Sequence, residues 1–165
     1  MPIVICDSST LIHLASISRL GLLREFYAEI IIPTAVWQEV VIEGQERPGV
    51  SEVRAAREGG WLSVESAGDE RLLQLLKRDL HPGEAEVIAL AMEKQAALVL
   101  LDETEARRMA DINGLNKTGV IGILIRAKLE NKVDSLRFEL NALQQQGGFW
   151  IDEKLYQQAV EAVGE

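Results

Sequence analysis

Two aspartates stand directly after short apolar runs of the sequence. Asp7 follows Ile3–Cys6, and Asp102 follows Leu98–Leu101. Such runs are typical of buried strands, and any of the three hydroxyl residues after Asp7 can cap a helix beginning near Thr10. In open α/β sheets, ligands bind beyond the carboxyl ends of the strands. If the two strands are neighbours, we therefore expect both carboxylates to lie close together at one edge of the sheet.

Two glutamates are further candidates for this group of carboxylates. On the helix predicted over Glu84–Gln95, Glu84 falls between Ile88 and Ala91, in the middle of the apolar face. A buried carboxylate needs a partner, but a glutamate in the first turn also interacts favourably with the helix dipole and can stay hydrated. Glu39 lies on the flank of an earlier apolar face, where it is either a ligand or a solvated surface charge. Both alternatives stay open for each glutamate at this point.

The candidate site consists of carboxylates, without a cluster of histidine or cysteine. Carboxylate oxygens are hard ligands, which suit Mg²⁺ or Mn²⁺ better than zinc. Such a cage can hold one or two ions that orient a water molecule and neutralise a phosphodiester during in-line attack. The formal net charge of −9 argues against a wide basic surface for nucleic acid. Because a bound cation reverses the local sign of the field, the composition still allows a metal-dependent nuclease.

Other phosphate chemistry at Asp7 is less well supported by the neighbouring residues. Phosphate-transferring hydrolases with an aspartate nucleophile carry a second aspartate two residues later, where this chain has Ser9. Neither a G-x-x-x-x-G-K-[ST] loop nor a G-x-S-x-G elbow occurs in the sequence. Lys117 and Thr118 precede a helix predicted to begin near Gly119, whose N-terminus would attract a phosphate, although both side chains can equally be solvated.

Apolar strands alternate with helical patterns along the chain, which predicts a mostly parallel sheet covered by helices on both faces. No repeat, low-complexity tract or linker divides the sequence, so we expect one domain over residues 1–165. Two amphipathic helices within about 134–163 should either pack on this domain or form an interface, such as that of a homodimer. The single cysteine, Cys6, and the lack of a signal-like start or a membrane-length apolar run predict a cytoplasmic protein. The predicted strands are Ile3–Cys6, Ile30–Ile32, Trp61–Val64 and Ala97–Leu101.

Four segments, taken in order, resemble the PIN-domain nucleases, and the similarity covers about residues 3–130. The resemblance is to a prokaryotic subgroup that is similar to the toxin members of toxin–antitoxin pairs and that includes many proteins without an assigned function. The segments are Val4–Leu14 with its Asp-Ser-Ser-x-Leu-Ile-x-Leu core, Ile32–Val40, His81–Ala91 and Leu98–Arg108, with similarity extending into Gly119–Leu129.

The resemblance implies a three-layer α/β/α sandwich with a mostly parallel sheet of four to five strands. It also implies cleavage of single-stranded RNA that depends on Mg²⁺ or Mn²⁺ and proceeds without a covalent intermediate. A small antitoxin protein is the implied partner if the chain is a toxin. A catalytically inactive PIN-like module that binds a partner protein is the alternative. The residues that carry over as catalytic residues and metal ligands are Asp7, Glu39, Glu84 and Asp102, with Glu86 as a second choice and Ser8 as a contact for a ligand or phosphate.

One departure from the family pattern concerns Gly119-Val120-Ile121-Gly122, where relatives often show Gly-Thr-Leu-Gly. The hydroxyl is missing at Val120, although Thr118 is close in the sequence. The departure bears on contacts with substrate more than on metal binding.

Overall fold

The computed structural model describes residues 2–45 and 47–165 of the chain. The strands are β1 (Val4–Cys6), β2 (Ile30–Pro33), β3 (Leu62–Glu65), β4 (Leu98–Leu100) and β5 (Lys117–Thr118). They form one sheet in the order β3-β2-β1-β4-β5, and every neighbouring pair is parallel. The prediction of an α/β/α sandwich with a mostly parallel sheet is confirmed.

Helices connect the strands and cover the sheet. They are α1 (Ser8–Ser16), α2 (Gly21–Tyr27), α3 (Thr34–Trp37) with a π-helical continuation (Gln38–Ile42), α4 (Val50–Glu58), α5 (Glu70–Leu76), α6 (Pro82–Lys94), α7 (Thr104–Ile112), α8 (Val120–Leu129), α9 (Leu136–Gln146) and α10 (Glu153–Ala162). The long helix α6 contacts α5 and α7 in one group, while α1 contacts α8 and α9 in another. None of the described helices combines the length and apolar character needed to cross a membrane.

The central strand β1 marks the point where the strand order changes direction. The chain adds β2 and β3 on one side of β1, whereas β4 and β5 lie on the other side. Ile5 is level with Ile31 in β2 and with Val99 in β4. The carboxyl ends of β1 and β4 therefore form the topological switch point, where open α/β sheets bind their ligands. Asp7 and Asp102 follow these two strands.

Two elements depart from what the sequence pattern predicts. Strand β5 is only two residues long and half-buried, so no apolar run indicates it. It joins the sheet because the Leu101 N–H donates to the Thr118 carbonyl at 2.8 Å. The helix predicted to continue through Ile42 changes to π-helical hydrogen bonding over Gln38–Ile42, the turn that carries Glu39. Such turns are frequent at functional sites.

The C-terminal helices pack against the rest of the structure. Helix α9 contacts α1 and α8 and buries Leu136, Leu140 and Leu143. Arg19, which follows α1, forms an ion pair with the buried carboxylate of Glu139, and its Nε lies 3.1 Å from Oε2. Whether these helices also serve as an interface between copies stays a prediction, as does the assignment of one domain.

Candidate functional site

Asp7 joins β1 to α1 and has only 2% of its surface exposed. Its Oδ1 atom accepts a hydrogen bond from the Thr10 backbone N–H at 2.8 Å, so Asp7 is the N-cap of α1. The prediction of a hydroxyl residue as the cap is wrong, because the helix begins earlier, at Ser8. The second oxygen, Oδ2, accepts from the Asp102 backbone N–H at 3.2 Å. The Asp7 carboxylate thereby links the ends of β1 and β4.

The carboxylate of Asp102 accepts hydrogen bonds from two further elements. Oδ2 accepts from the Thr10 hydroxyl at 3.0 Å, and Oδ1 accepts from the Val120 N–H at 2.9 Å, at the start of α8. Helix α8 can approach this closely because residue 119 is glycine, where a Cβ would lie 2.5 Å from Asp102 Oδ1. The structure thus brings the carboxylates of Asp7 and Asp102 together at the switch point.

Burial raises the pKa of Asp7 to about 7, and the nearby charge of Asp102 adds to this rise. Hydrogen bonds from Thr10 and from the Asp102 backbone lower the pKa, but they offset the effect of burial only in part. Ionised Asp7 therefore costs the fold free energy. Burial, followed by the Asp7 charge, also raises the pKa of the Cys6 thiol, which stays neutral and packs as a small apolar side chain.

Glu39 approaches the same sheet edge from the π-helical turn. Its Oε2 atom accepts a hydrogen bond from the Ser8 hydroxyl at 2.9 Å, which links it to the residue after Asp7. The start of α6 is also close, since a Cβ on Gly83 would collide with Glu39 Oε1. Of the two alternatives for Glu39, this half-buried position beside Ser8 favours a role in the site over a fully solvated charge.

Glu84 is buried in the first turn of α6, with 7% of its surface exposed. The His81 ring lies near both glutamates, with Nε2 3.0 Å from Glu84 Oε1 and Nδ1 3.6 Å from Glu39 Oε1. His81 also caps α6, because Nδ1 accepts from the Glu84 N–H at 3.4 Å. Burial raises the pKa of Glu84; His81 lowers it, and the charges of Glu103 and Glu39 raise it further. These acids are therefore within electrostatic reach of one another.

The four predicted carboxylates form two pairs at one edge of the sheet. Asp7 pairs with Asp102, while Glu39 and Glu84 share His81. Across residues 2–45 and 47–165, no three or more His, Cys, Asp and Glu side chains form a ready-made metal site. The donor set nevertheless fits a hard divalent cation, because it offers carboxylate oxygens and a buried pair whose repulsion a cation would relieve.

The remaining predicted site residues have other partners in the structure. Glu86 accepts a hydrogen bond from the Ala35 N–H at 2.8 Å, which satisfies a backbone donor in the first turn of α3. The ammonium of Lys117 pairs with the exposed Asp111. Thr118 ends β5, the strand beside β4. Lys117 and Thr118 therefore lie on the strand next to β4, which Asp102 follows. Glu86, in contrast, has a structural role at the start of α3.

Two further side chains at this edge are not singled out by the sequence pattern. Glu103 accepts a hydrogen bond from the Ser9 hydroxyl at 3.1 Å and acts on Glu84 through its charge. A second acid directly after Asp102 is the signal that points to it. His81 offered no such signal, because an isolated histidine before Pro-Gly more often has a structural role.

The surroundings of Val120 explain why an apolar residue fits where relatives often have threonine. Its side chain is fully buried in the core. The group of Val120 that contacts Asp102 is the backbone N–H, which any residue except proline supplies.

Comparison with protein families identifies the family of the chain. A family model described as a PIN domain matches residues 3–165, which include the four carboxylates, the whole sheet and the C-terminal helices. No curated protein matches the chain.

Proposed function

The chain belongs to the PIN domain family, whose members are generally nucleases, and we propose that it is a metal-dependent endoribonuclease. Its substrate in this proposal is single-stranded RNA, of which it hydrolyses phosphodiester bonds. The buried pair of Asp7 and Asp102 at the topological switch point is the main support. Two buried carboxylates side by side are costly, and a divalent cation would offset that cost.

Asp7 and Asp102 would hold the ion, and Glu39 and Glu84 would complete its set of oxygen ligands. Mg²⁺ and Mn²⁺ are the candidates, because all four ligands are carboxylates. When bound, such an ion supplies neutralisation of phosphodiester charge and activation of a water molecule. Glu86 stays the second choice, since one of its oxygens already accepts a hydrogen bond from α3.

Backbone groups of the chain orient these ligands. The N–H of Thr10 holds one oxygen of Asp7, and the N–H of Val120 holds one oxygen of Asp102. Hydrogen bonds of this kind fix the rotamers of ligating side chains, and their loss commonly weakens metal binding about 10- to 100-fold. The two aspartates are thus preorganised by the same contacts that begin α1 and α8.

Three side chains are assigned to contacts with the substrate phosphate. The Ser8 hydroxyl would exchange its hydrogen bond with Glu39 for one with a phosphate oxygen. Lys117 would exchange its ion pair with Asp111 in the same way. The hydroxyl of Thr118 lies beside Gly122 in the first turn of α8, and Thr118 lines one cavity together with Lys117, so it is assigned a contact with the same phosphate.

A protein-interaction module without catalytic activity is the alternative function. The division of the acids into two pairs favours it, since the described residues contain no ready-made group of three ligands. Large apolar side chains are also exposed, among them Phe138 at 67% and Trp150 at 80%. In such a module the carboxylates would serve only as helix caps and hydrogen-bond acceptors.

The proposal also covers the biological role of the protein, its partners and its oligomeric state. The family resemblance suggests the toxin of a toxin–antitoxin pair, which acts in the cytoplasm and has a small antitoxin protein as its partner. Exposed apolar residues on the C-terminal helices support a homodimer as a further part of the proposal. Residues 1–165 would act as one PIN-like domain.

Calorimetric titration with Mn²⁺, combined with an assay on a mixed pool of single-stranded RNA, tests the proposed function. Asp7→Asn removes one charge of the central pair, so ion binding and cleavage should both be lost. Asp69→Asn is the matched control, because Asp69 also caps a helix, through the Leu72 N–H at 3.0 Å, but lies exposed.

Binding and cleavage by the wild type and Asp69→Asn, with neither in Asp7→Asn, would support the nuclease. Ion binding without cleavage would count against single-stranded RNA as the substrate. Absence of ion binding in all three proteins would refute the metal site and leave the interaction module.

A further inference from the structure

A cavity of about 370 Å³ opens beside Asp102. Its walls come from α7, β5, α8, α10 and the segment that joins α9 to α10. A wider cavity, of about 550 Å³, lies between the π-helical turn and α4 and touches none of the four carboxylates. A substrate that reaches the Asp7–Asp102 pair would therefore meet the cavity beside Asp102.

Arg107 supplies a positive charge to this cavity. Its Nη1 donates a hydrogen bond to the Leu101 carbonyl at 2.7 Å, which anchors the guanidinium beside the end of β4. Among the described residues, the other N–H groups of this guanidinium have no hydrogen-bond partner, whereas the neighbouring Lys117 is paired with Asp111. Because the planar donors of a guanidinium match the oxygens of a phosphate, Arg107 is suited to bind one here.

Phe149 supplies an aromatic wall to the same cavity. It lies between α9 and α10, where the N–H groups of Gly147 and Phe149 donate to the Leu143 carbonyl at 3.0 and 3.2 Å. The ring packs edge-to-face against His13, with the centroids 4.7 Å apart. Phe149 is half-buried, so part of its surface is held by the protein and part lines the cavity. The ring is therefore preorganised to receive a flat partner.

We propose that this cavity binds one nucleotide of the RNA strand next to the cleaved bond, with the base stacked on Phe149 and the phosphate held by Arg107. The inference rests on the proposed function and adds a substrate-binding site to it. Proteins commonly bind single strands by combining aromatic rings, on which bases stack, with cations along the backbone. The volume of about 370 Å³ lies near the lower end of small-molecule sites, which begin at about 300 Å³, and suits a single nucleotide.

The overall charge of the chain favours such a local site. With a formal net charge of −9, the chain offers little general attraction to a polyanion. Besides a bound divalent ion, local contacts that combine a side-chain cation with stacking would therefore strengthen RNA binding. Arg107 and Phe149 provide this combination directly beside Asp102.

Substitutions at Phe149 separate stacking from apolar packing. Phe149→Tyr keeps an aromatic face, whereas Phe149→Leu keeps an apolar side chain without one. We expect Phe149→Leu to weaken RNA binding on the order of 10-fold, a typical effect for one stacked base, and Phe149→Tyr to bind like the parent. The control is Phe138→Leu, since Phe138 is exposed on α9 outside the cavity.

Binding is measured by fluorescence anisotropy with a short fluorescein-labelled single-stranded RNA of mixed sequence. The variants are made in the Asp7→Asn background, which should not cleave, so that the RNA stays intact. Mg²⁺ is present in every measurement. Arg107→Gln tests the phosphate contact, because glutamine is polar but shorter and neutral, so the charge and the planar donors of the guanidinium are removed. It should reduce the slope of log affinity against log salt by about 0.7, the value for one phosphate contact on a single strand.

Equal binding by Phe149→Leu and Phe149→Tyr, together with an unchanged salt slope in Arg107→Gln, would overturn the inference. In the background with Asp7 intact, Phe149→Leu should raise KM and leave kcat unchanged, a split that a purely structural role would not produce. If the wild type cleaves RNA, and Phe149→Leu binds and cleaves RNA as well as the wild type does, only the assignment of the cavity fails. If the wild type cleaves no RNA, but Phe149→Leu binds RNA more weakly than the wild type does, the nuclease proposal fails and the nucleotide site stands.

Discussion

Replacing Asp7 with asparagine should stabilise the metal-free protein near pH 8, although Asp7 is the N-cap of α1. Its pKa is raised from an ordinary 3.8 to about 7, so the folded protein binds this proton more tightly than the unfolded chain does. The free energy of unfolding of the wild type therefore decreases as the pH rises from about 4 to about 7, and it stays low above that range. Because asparagine carries no titrating proton, the free energy of unfolding of Asp7→Asn should not show this decrease.

The size of the effect follows from the pKa and the hydrogen bonds. At about 1.4 kcal/mol for each pKa unit, ionised Asp7 costs the fold at most about 4 kcal/mol. Asparagine keeps an oxygen for the Thr10 N–H, but its amide nitrogen would face the Asp102 N–H, which now donates at 3.2 Å. Losing that bond costs about 1 kcal/mol. The expected net gain is about 2–3 kcal/mol near pH 8, turning into a small loss near pH 4.

Urea unfolding of chelator-treated proteins between about pH 4 and about pH 8 measures this difference. Asp69→Asn should change stability little at any pH, because its carboxylate caps a helix at the exposed surface. Added Mn²⁺ should then stabilise the wild type and Asp69→Asn but not Asp7→Asn, since a ligand that binds only the folded state raises stability by mass action. Parallel pH profiles for wild type and Asp7→Asn, or a less stable Asp7→Asn near pH 8, would refute the reasoning.

Three further substitutions give measurable outcomes. Gly119→Ala places a Cβ about 2.5 Å from Asp102 Oδ1 and should weaken Mn²⁺ binding at least about 10-fold by calorimetry. Arg19→Met leaves the buried carboxylate of Glu139 unpaired and should reduce the free energy of unfolding in urea by about 3 kcal/mol. His81→Ala removes the cap of α6 and should cost about 1 kcal/mol in thermal unfolding, while His81→Asn restores most of it.

Each of these substitutions has its own control. Gly21→Ala adds the same methyl group at a position with no atom within 4 Å, so Mn²⁺ affinity should not change. Combining Arg19→Met with Glu139→Leu should recover stability, because a buried ion pair can be replaced by apolar packing. Unchanged Mn²⁺ binding in Gly119→Ala, full stability in Arg19→Met, or equal losses for both His81 variants would each contradict the corresponding contact.

The parts of the site that depend on local pattern could be predicted from the sequence. Asp7 and Asp102 follow apolar runs, and the carboxyl ends of parallel strands lie at one edge of a sheet, so a shared edge could be predicted. Their proximity also requires β1 and β4 to be neighbours, which the structure shows. The position of Glu84 on its helix likewise predicts an inward side chain, and 7% exposure agrees with this. The strand and helix patterns indicate where these residues lie, and for Glu84 the structure decides between the buried and the hydrated alternative.

Features that depend on tertiary packing could not be predicted in this way. Strand β5 consists of two half-buried residues, and it exists only because β4 offers free backbone groups beside it. Phe149 reaches the cavity beside Asp102 because α9 packs on α1 and α8, an arrangement that no local period encodes. The contact of His81 with two glutamates depends equally on how α3 and α6 meet.

The charge of the central pair, more than its hydrogen bonding, is the feature that calls for a ligand. Asp7 caps α1, and Asp102 accepts an N–H at the start of α8. Asparagine or serine would cap a helix about as well as aspartate, and neither carries the free-energy cost expressed in the raised pKa of Asp7. Helix capping therefore accounts for the positions of these side chains but not for their charge. A divalent cation held by both carboxylates would turn that cost into binding energy, which is why Mn²⁺ should stabilise the wild type and leave Asp7→Asn unchanged.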